Sequence, residues 1–136
     1  MVKKWYFAGQ FSRLEELAGY AAQARAAGLT VTSQWLDQDL GLGYAGGSDE
    51  VGQMFAQRDL VDIAAADGFL FFAEDPSTGI PRGGRHCEFG VALSTAKTIE
   101  LIAPCGRENV FHLLVPDSAI YPTFKAWLKA KKAGMV

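Results

Sequence analysis

The stretch Pro81-Arg82-Gly83-Gly84-Arg85-His86-Cys87-Glu88-Phe89-Gly90 places one carboxylate, Glu88, just behind a pair of glycines. Glycines let a backbone approach a ligand closely, and a helix starting at such a loop turns its free N–H groups toward whatever binds there. Glu88 is expected in the first turn of that helix, where the helix dipole would hold its carboxylate ionised. An ionised, fixed carboxylate can attack an anomeric carbon, because the transition state has oxocarbenium character and a covalent glycosyl intermediate can form. The plain alternative is an acid that only stabilises a helix end.

The neighbours divide in the same way. Arg82 and Arg85 are suited to binding a phosphate or to facing solvent. His86 can titrate near neutrality or simply hydrogen-bond locally. Cys87 has no paired base in sequence, which argues against cysteine nucleophilic chemistry. Four further acids, Asp62, Asp67, Glu74 and Asp75, are expected near the same edge of the fold. Asp62 reads as a helix-surface residue or one pairing with Arg58, and Asp67 as either a turn residue or a functional acid at a helix-to-strand junction. Glu74 and Asp75 read as the start of a polar loop.

These side chains need elements to hold them. Gly68-Phe69-Leu70-Phe71-Phe72 is short, apolar and aromatic, as a strand buried on both faces should be. The segment from it to Thr98–Ile102 reads strand, glycine loop, helix over 88–96, strand. Upstream, Trp5-Tyr6-Phe7-Ala8 ends at Gly9, and Ser12-Arg13-Leu14-Glu15 has the form of a capping box that starts a helix. Leu14, Leu17, Ala18, Ala21 and Ala24 share one helical face, and Gly28 supplies a left-handed end. Leu29 to Trp35 reads as the second strand, and 51–66 as a helix with Val51, Met54, Phe55, Val61 and Ala65 near helical spacing. The loop from Leu36 to Asp49 is long enough to suggest a lid, with Trp35, Asp37, Asp39 and Tyr44 as candidates to contact a base. Past Ile102 the expectations are a helical turn near 109–114, an edge strand around Ala119 and a helix over 122–132. Alternating strands and helices imply parallel pairing through right-handed crossovers, giving a three-layer α/β/α sheet of about five mostly parallel strands.

The 136 residues form one domain by length, 1–136, without repeats or linkers. Thirteen basic against 15 acidic residues give no support for a nucleic-acid polymer or a membrane surface as partner. The C-terminal lysines Lys125, Lys129, Lys131 and Lys132 read as a solvated helix face. Cys87 and Cys105 lack disulfide or metal-site spacing, so a reducing, cytoplasmic setting is expected, with no metal and no cofactor. No apolar stretch approaches about 18 residues, and no signal peptide is evident.

Taken in order, Tyr6-Phe7-Ala8-Gly9, Ala66-Asp67, Gly84-Arg85-His86-Cys87-Glu88-Phe89-Gly90-Val91-Ala92-Leu93 and Glu108-Asn109-Val110 resemble the nucleoside 2-deoxyribosyltransferase family, over nearly the whole chain. The likeness is greatest to its short, phage-type or uncharacterised members. The resemblance implies a flavodoxin-like (Rossmann-like) fold and an enzyme that cleaves the N-glycosidic bond of a 2'-deoxynucleoside. It implies Glu88 as the nucleophile, Tyr6 as the residue that orients it and Asp67 as an acid that helps hold the substrate. Substrate binding would fall to Gly9, Gln10, Phe11 and Asp75, and to Arg82, Gly83, Gly84 and Arg85. Asn109 would reach the sugar's 5'-hydroxyl across a subunit interface, implying a homo-oligomer. In this chain alone, Tyr6 can equally be core and Asn109 a helix cap. Family transferases carry an Asp six residues before the nucleophile to contact the base, and here that position is Arg82. An arginine suits a phosphate better than a neutral base edge, which gives a nucleoside 5'-monophosphate N-glycosidase as the alternative. A non-catalytic nucleotide-binding module is the third possibility.

Overall fold

The computed structural model describes residues 1–37, 48–75 and 83–135. Five strands form one sheet in the order β2-β1-β3-β4-β5, every neighbouring pair parallel. They are β1 Lys4–Ala8, β2 Thr30–Val31, β3 Gly68–Phe72, β4 Thr98–Ile102 and β5 Ile120–Tyr121. Helices α1 Leu14–Ala26, α2 Asp49–Ala65, α3 Gly84–Ser94 and α4 Phe124–Gly134 alternate with them. The sheet order reverses direction at β1 and β3, the point at which open α/β sheets bind ligands.

Side chains alternate along each strand, and this sorts the core into two faces. From β1, Phe7 packs edge-on against Trp127 of α4, and Phe72 of β3 stacks with Tyr20 of α1. On the opposite face Tyr6 stacks with Phe69 at 5.6 Å, and both Phe69 and Phe71 meet Phe89 of α3. Tyr6 therefore points at α3 because Trp5 and Phe7 point away. All five residues of β3 are buried, as its central position under helices on both faces requires.

Several local readings change. The capping box is not formed: Phe11–Arg13 is a 3₁₀ turn, Ser12 Oγ turns to Gln10 Oε1, and Arg13 pairs with Glu16 at 2.8 Å. Paired strand is limited to Thr30–Val31, after which Gln34–Leu36 forms another 3₁₀ turn. Helix α3 begins at Gly84, four residues earlier than its spacing suggests, because Gly83 adopts a left-handed φ of 85° at its N-cap. Lys131 is not on a solvated face; its ammonium lies 2.6 Å from buried Glu100, over the Trp5 ring. Asn109 caps the 3₁₀ helix Val110–Leu114, and the edge strand is Ile120–Tyr121. Among the described residues no helix is long and apolar enough to cross a membrane.

Candidate active site

The loops after β1 and β3 and the inner face of α2 enclose a cleft of about 750 Å³ at the carboxyl edge of the sheet. That size lies within the usual range of small-ligand sites, roughly 300–1,000 Å³. Gly9, Gln10 and Phe11 form one wall, Gly83, Gly84 and Glu88 the opposite one, and Phe55, Asp59 and Leu60 of α2 the third, with Trp35 beside them. Gly9 has a packing reason for its identity, since a Cβ there would lie 2.5 Å from Leu17 Cδ2. A Cβ on Gly84 would meet no atom of the described residues within 4 Å, and Gly84 lines the cleft.

Glu88 is the centre of this arrangement. The Tyr6 hydroxyl donates to its Oε2, and no other partner of that carboxylate occurs among the described residues. Burial pushes the Glu88 carboxyl up to about 8; the Tyr6 hydrogen bond opposes the rise, while Asp59 and Asp62 add to it. The expectation of a dipole-held, ionised carboxylate in a first turn is thus corrected. Helix α3 starts at Gly84, which puts Glu88 in the second turn, where the dipole is weak, and burial outweighs it. Tyr6 is itself raised well above its ordinary value by burial and by the Glu88 charge, so its hydroxyl keeps its proton and remains a donor.

Asp59 was not singled out by sequence and is the principal addition. It lines the cleft, and burial pushes its carboxyl up to about 6, with Arg58 opposing and Asp62 reinforcing. Its Oδ1 is buried without a hydrogen-bond partner among the described residues. The signal that could have found it is the i, i+3 spacing of Asp59 and Asp62, which puts both acids on one face of α2. Asp62 is buried rather than on the helix surface. It accepts from the Gln34 backbone N–H at 2.9 Å and from Gln34 Nε2 at 2.7 Å.

Other expected residues lie elsewhere. Asp67 is exposed at the amino end of β3, where its N–H donates to Lys4 O and its carbonyl accepts from Thr98 N–H. In a parallel sheet the residue before a strand lies on the edge opposite the residue after it, so Asp67 is not brought to the cleft. Asp75 is exposed beyond Glu74 and is not a cleft wall. Arg82, Asp39 and Tyr44 lie outside the described residues, and Asp37 pairs with Arg25 at 2.9 Å.

Arg85 reaches the cleft margin, but its buried guanidinium is bonded to Glu108 at 2.8 Å and packs over Phe71. His86 faces the same side: Asn109 Nδ2 lies 3.2 Å from its Nδ1, and burial, then Arg85, lower its pKa. Asn109 also accepts from Phe111 N–H at 2.9 Å and does not reach the cleft of its own chain. Among the described residues no group of three or more His, Cys, Asp or Glu side chains converges as a metal site.

No family model matches the chain, and no curated protein matches it in sequence. Among solved structures it is similar to a 2-deoxyribosyltransferase from the psychrotolerant bacterium Bacillus psychrosaccharolyticus, a biocatalyst for nucleoside synthesis. The two are 22% identical, with 92% of this chain and 90% of that one covered, at a TM-score of 0.66. The likeness shows the fold, a flavodoxin-like α/β/α sandwich, in agreement with the strand order.

Proposed function

We propose that the protein is an N-glycosyl transferase acting on 2'-deoxynucleosides, with Glu88 as nucleophile. The observation that carries this reading is a partly buried carboxylate lining a ligand-sized cleft, touched by one tyrosine hydroxyl and by no cation among the described residues. Such a carboxylate has no structural charge to neutralise, so its burial is explained best by chemistry at the cleft. The solved deoxyribosyltransferase supports the same class through its fold.

In this reading Glu88 Oε attacks C1', the bond from C1' to the base nitrogen breaks, and the sugar becomes a glycosyl ester of Glu88. Asp59 delivers its proton to the departing base and takes one back from the incoming acceptor. A second base or water then attacks C1', freeing Glu88 with net retention. With a pKa of about 8, only about a tenth of Glu88 is ionised at pH 7 in the empty cleft. Positive charge developing on the sugar favours the ionised form as the reaction proceeds. Tyr6 fixes which oxygen of Glu88 faces the substrate.

The exposed apolar side chains Val110, Phe111, Leu113 and Leu114 beside Asn109 support a homo-oligomer in which Asn109 serves a neighbour's cleft. Two exposed free thiols, Cys87 and Cys105, fit a reducing compartment such as the cytoplasm.

Incubation with a 2'-deoxynucleoside and a different free base, followed by chromatography, tests the activity. Exchanged nucleoside is the expected product, with free base if water competes. A greater rate on 5'-monophosphates would assign the nucleotide hydrolase instead. Neither exchange nor base release across purine and pyrimidine substrates would overturn the glycosyl-transfer reading.

A further inference from the structure

The wall of the cleft that carries Trp35 is held in an unusual way. Strand β2 pairs with β1 only through Thr30 and Val31, so the chain leaves the sheet before it reaches the cleft. The last ladder bond runs from the Thr32 N–H to Trp5 O at 2.8 Å, and beyond it side chains take over. Ser33 Oγ accepts from Phe7 N–H at 2.6 Å, and Trp35 Nε1 donates to Phe7 O at 2.9 Å. The link to α2 is Asp62, 4% exposed, whose two carboxylate oxygens take the backbone and side-chain N–H groups of Gln34. Thr32 Oγ1 adds a bond to the Asp62 carbonyl at 2.8 Å.

We infer that Asp62 is a positioning residue of the cleft: its carboxylate clamps Gln34 at both ends and so fixes the Trp35 indole as the aromatic wall against which a nucleobase packs. A buried carboxylate whose two oxygens each accept an N–H is costly to leave without those bonds, which makes the clamp rigid. Trp35 is the next residue after Gln34, and its ring shares the cleft with Phe11, whose centroid is 6.5 Å away. A planar ring held by its Nε1 and by the clamped residue before it presents a fixed apolar face at little entropic loss on binding. The role of the wall rests on the glycosyl-transfer reading; the clamp does not.

Two measurements on the parent, Asp62→Ala, Asp62→Asn and Gln34→Ala separate these parts. The first is hydrogen exchange of the Trp35 indole N–H, assigned by comparison with Trp35→Phe. Exchange about tenfold faster in Asp62→Ala is expected, with Gln34→Ala between it and the parent. The second is kinetics on thymidine and 2'-deoxyadenosine. Asp62→Ala should raise KM about tenfold and change kcat by less than about threefold, because binding geometry rather than chemistry is lost. Asp62→Asn should rescue most of the KM, since its amide still accepts from the Gln34 backbone and can pair with a flipped Gln34 side chain. If Asp62→Ala does not fold, Gln34→Ala and Asp62→Asn carry the comparison. Indole exchange that is unchanged in the clamp variants, a kcat loss at constant KM, or an Asp62→Asn as impaired as Asp62→Ala would each overturn the inference. If the parent cleaves neither nucleoside, the glycosyl-transfer reading is what fails, and the exchange rates still decide the clamp.

Discussion

Two partly buried carboxylates flank the first turns of α3, and the fold treats them in opposite ways. Glu108 is bonded to Arg85, accepts from the Glu74 N–H and lies 3.5 Å from His86 Nε2. Glu88, on the other face of the same helix, has a tyrosine hydroxyl, and among the described residues the charged groups that raise its pKa, Asp59 and Asp62, are acids. A buried acid that serves structure is neutralised where it stands, as Glu100 is by Lys131. Holding Glu88 without a cation among the described residues costs stability, and that cost fits its proposed role as nucleophile.

The largest effect comes from breaking the uncompensated side. Glu88→Gln should lower kcat/KM by at least about 10⁴-fold, the scale of removing a nucleophile. The same variant should be more stable than the parent at alkaline pH. The folded pKa of Glu88, about 8, lies above its ordinary 4.5, so the folded state holds the proton more tightly. That contribution is fully present below about 4.5 and is lost as pH rises through about 8. Denaturant melts at pH 9 should therefore favour Glu88→Gln by about 1 kcal/mol or more, with no difference at pH 4.

Breaking the compensated side should do the reverse. Glu108→Ala leaves the Arg85 guanidinium buried and unpaired, and a loss of about 3–5 kcal/mol in unfolding free energy is expected. Tyr6→Phe removes the one donor that favours the ionised form of Glu88, and about 1.5–3 kcal/mol of transition-state stabilisation should go with it. The pH profile sharpens that result. With Glu88 ionised and Asp59 protonated in the active form, kcat/KM should be bell-shaped with limbs near 6 and 8, values that belong to the coupled pair. Tyr6→Phe moves the upper limb to higher pH and lowers the plateau; Asp59→Asn abolishes the alkaline fall. The smallest effect is expected from Gly84→Ala. A methyl there meets no atom of the described residues and should stabilise α3 by about 0.5–1 kcal/mol, yet raise KM because it occupies the cleft.

Much of this was legible in the chain. β3 and β4 begin and end where the apolar runs do, because strands buried on both faces read as unbroken hydrophobic segments. The pairing of Tyr6 with Glu88 was legible through the order of the motifs around them. What the chain hid depends on tertiary neighbours. Asp59 resembles any helix-surface acid until the cleft is known to lie against α2, and Asp62 shows its role only once Gln34 packs beside it. The placement of Asp67 was legible too, since a residue preceding a parallel strand belongs to the edge of the sheet opposite the cleft. The early start of α3 was hidden because a left-handed Gly83 serves as N-cap without a capping side chain.

The most direct test is mass spectrometry of the protein quenched during turnover of a slow 2'-fluorinated deoxynucleoside analogue. The account predicts one sugar bound as an ester within the peptide carrying Glu88, absent from Glu88→Gln and discharged by adding a free base. A sugar attached to a different residue, or base exchange that persists in Glu88→Gln, would contradict it.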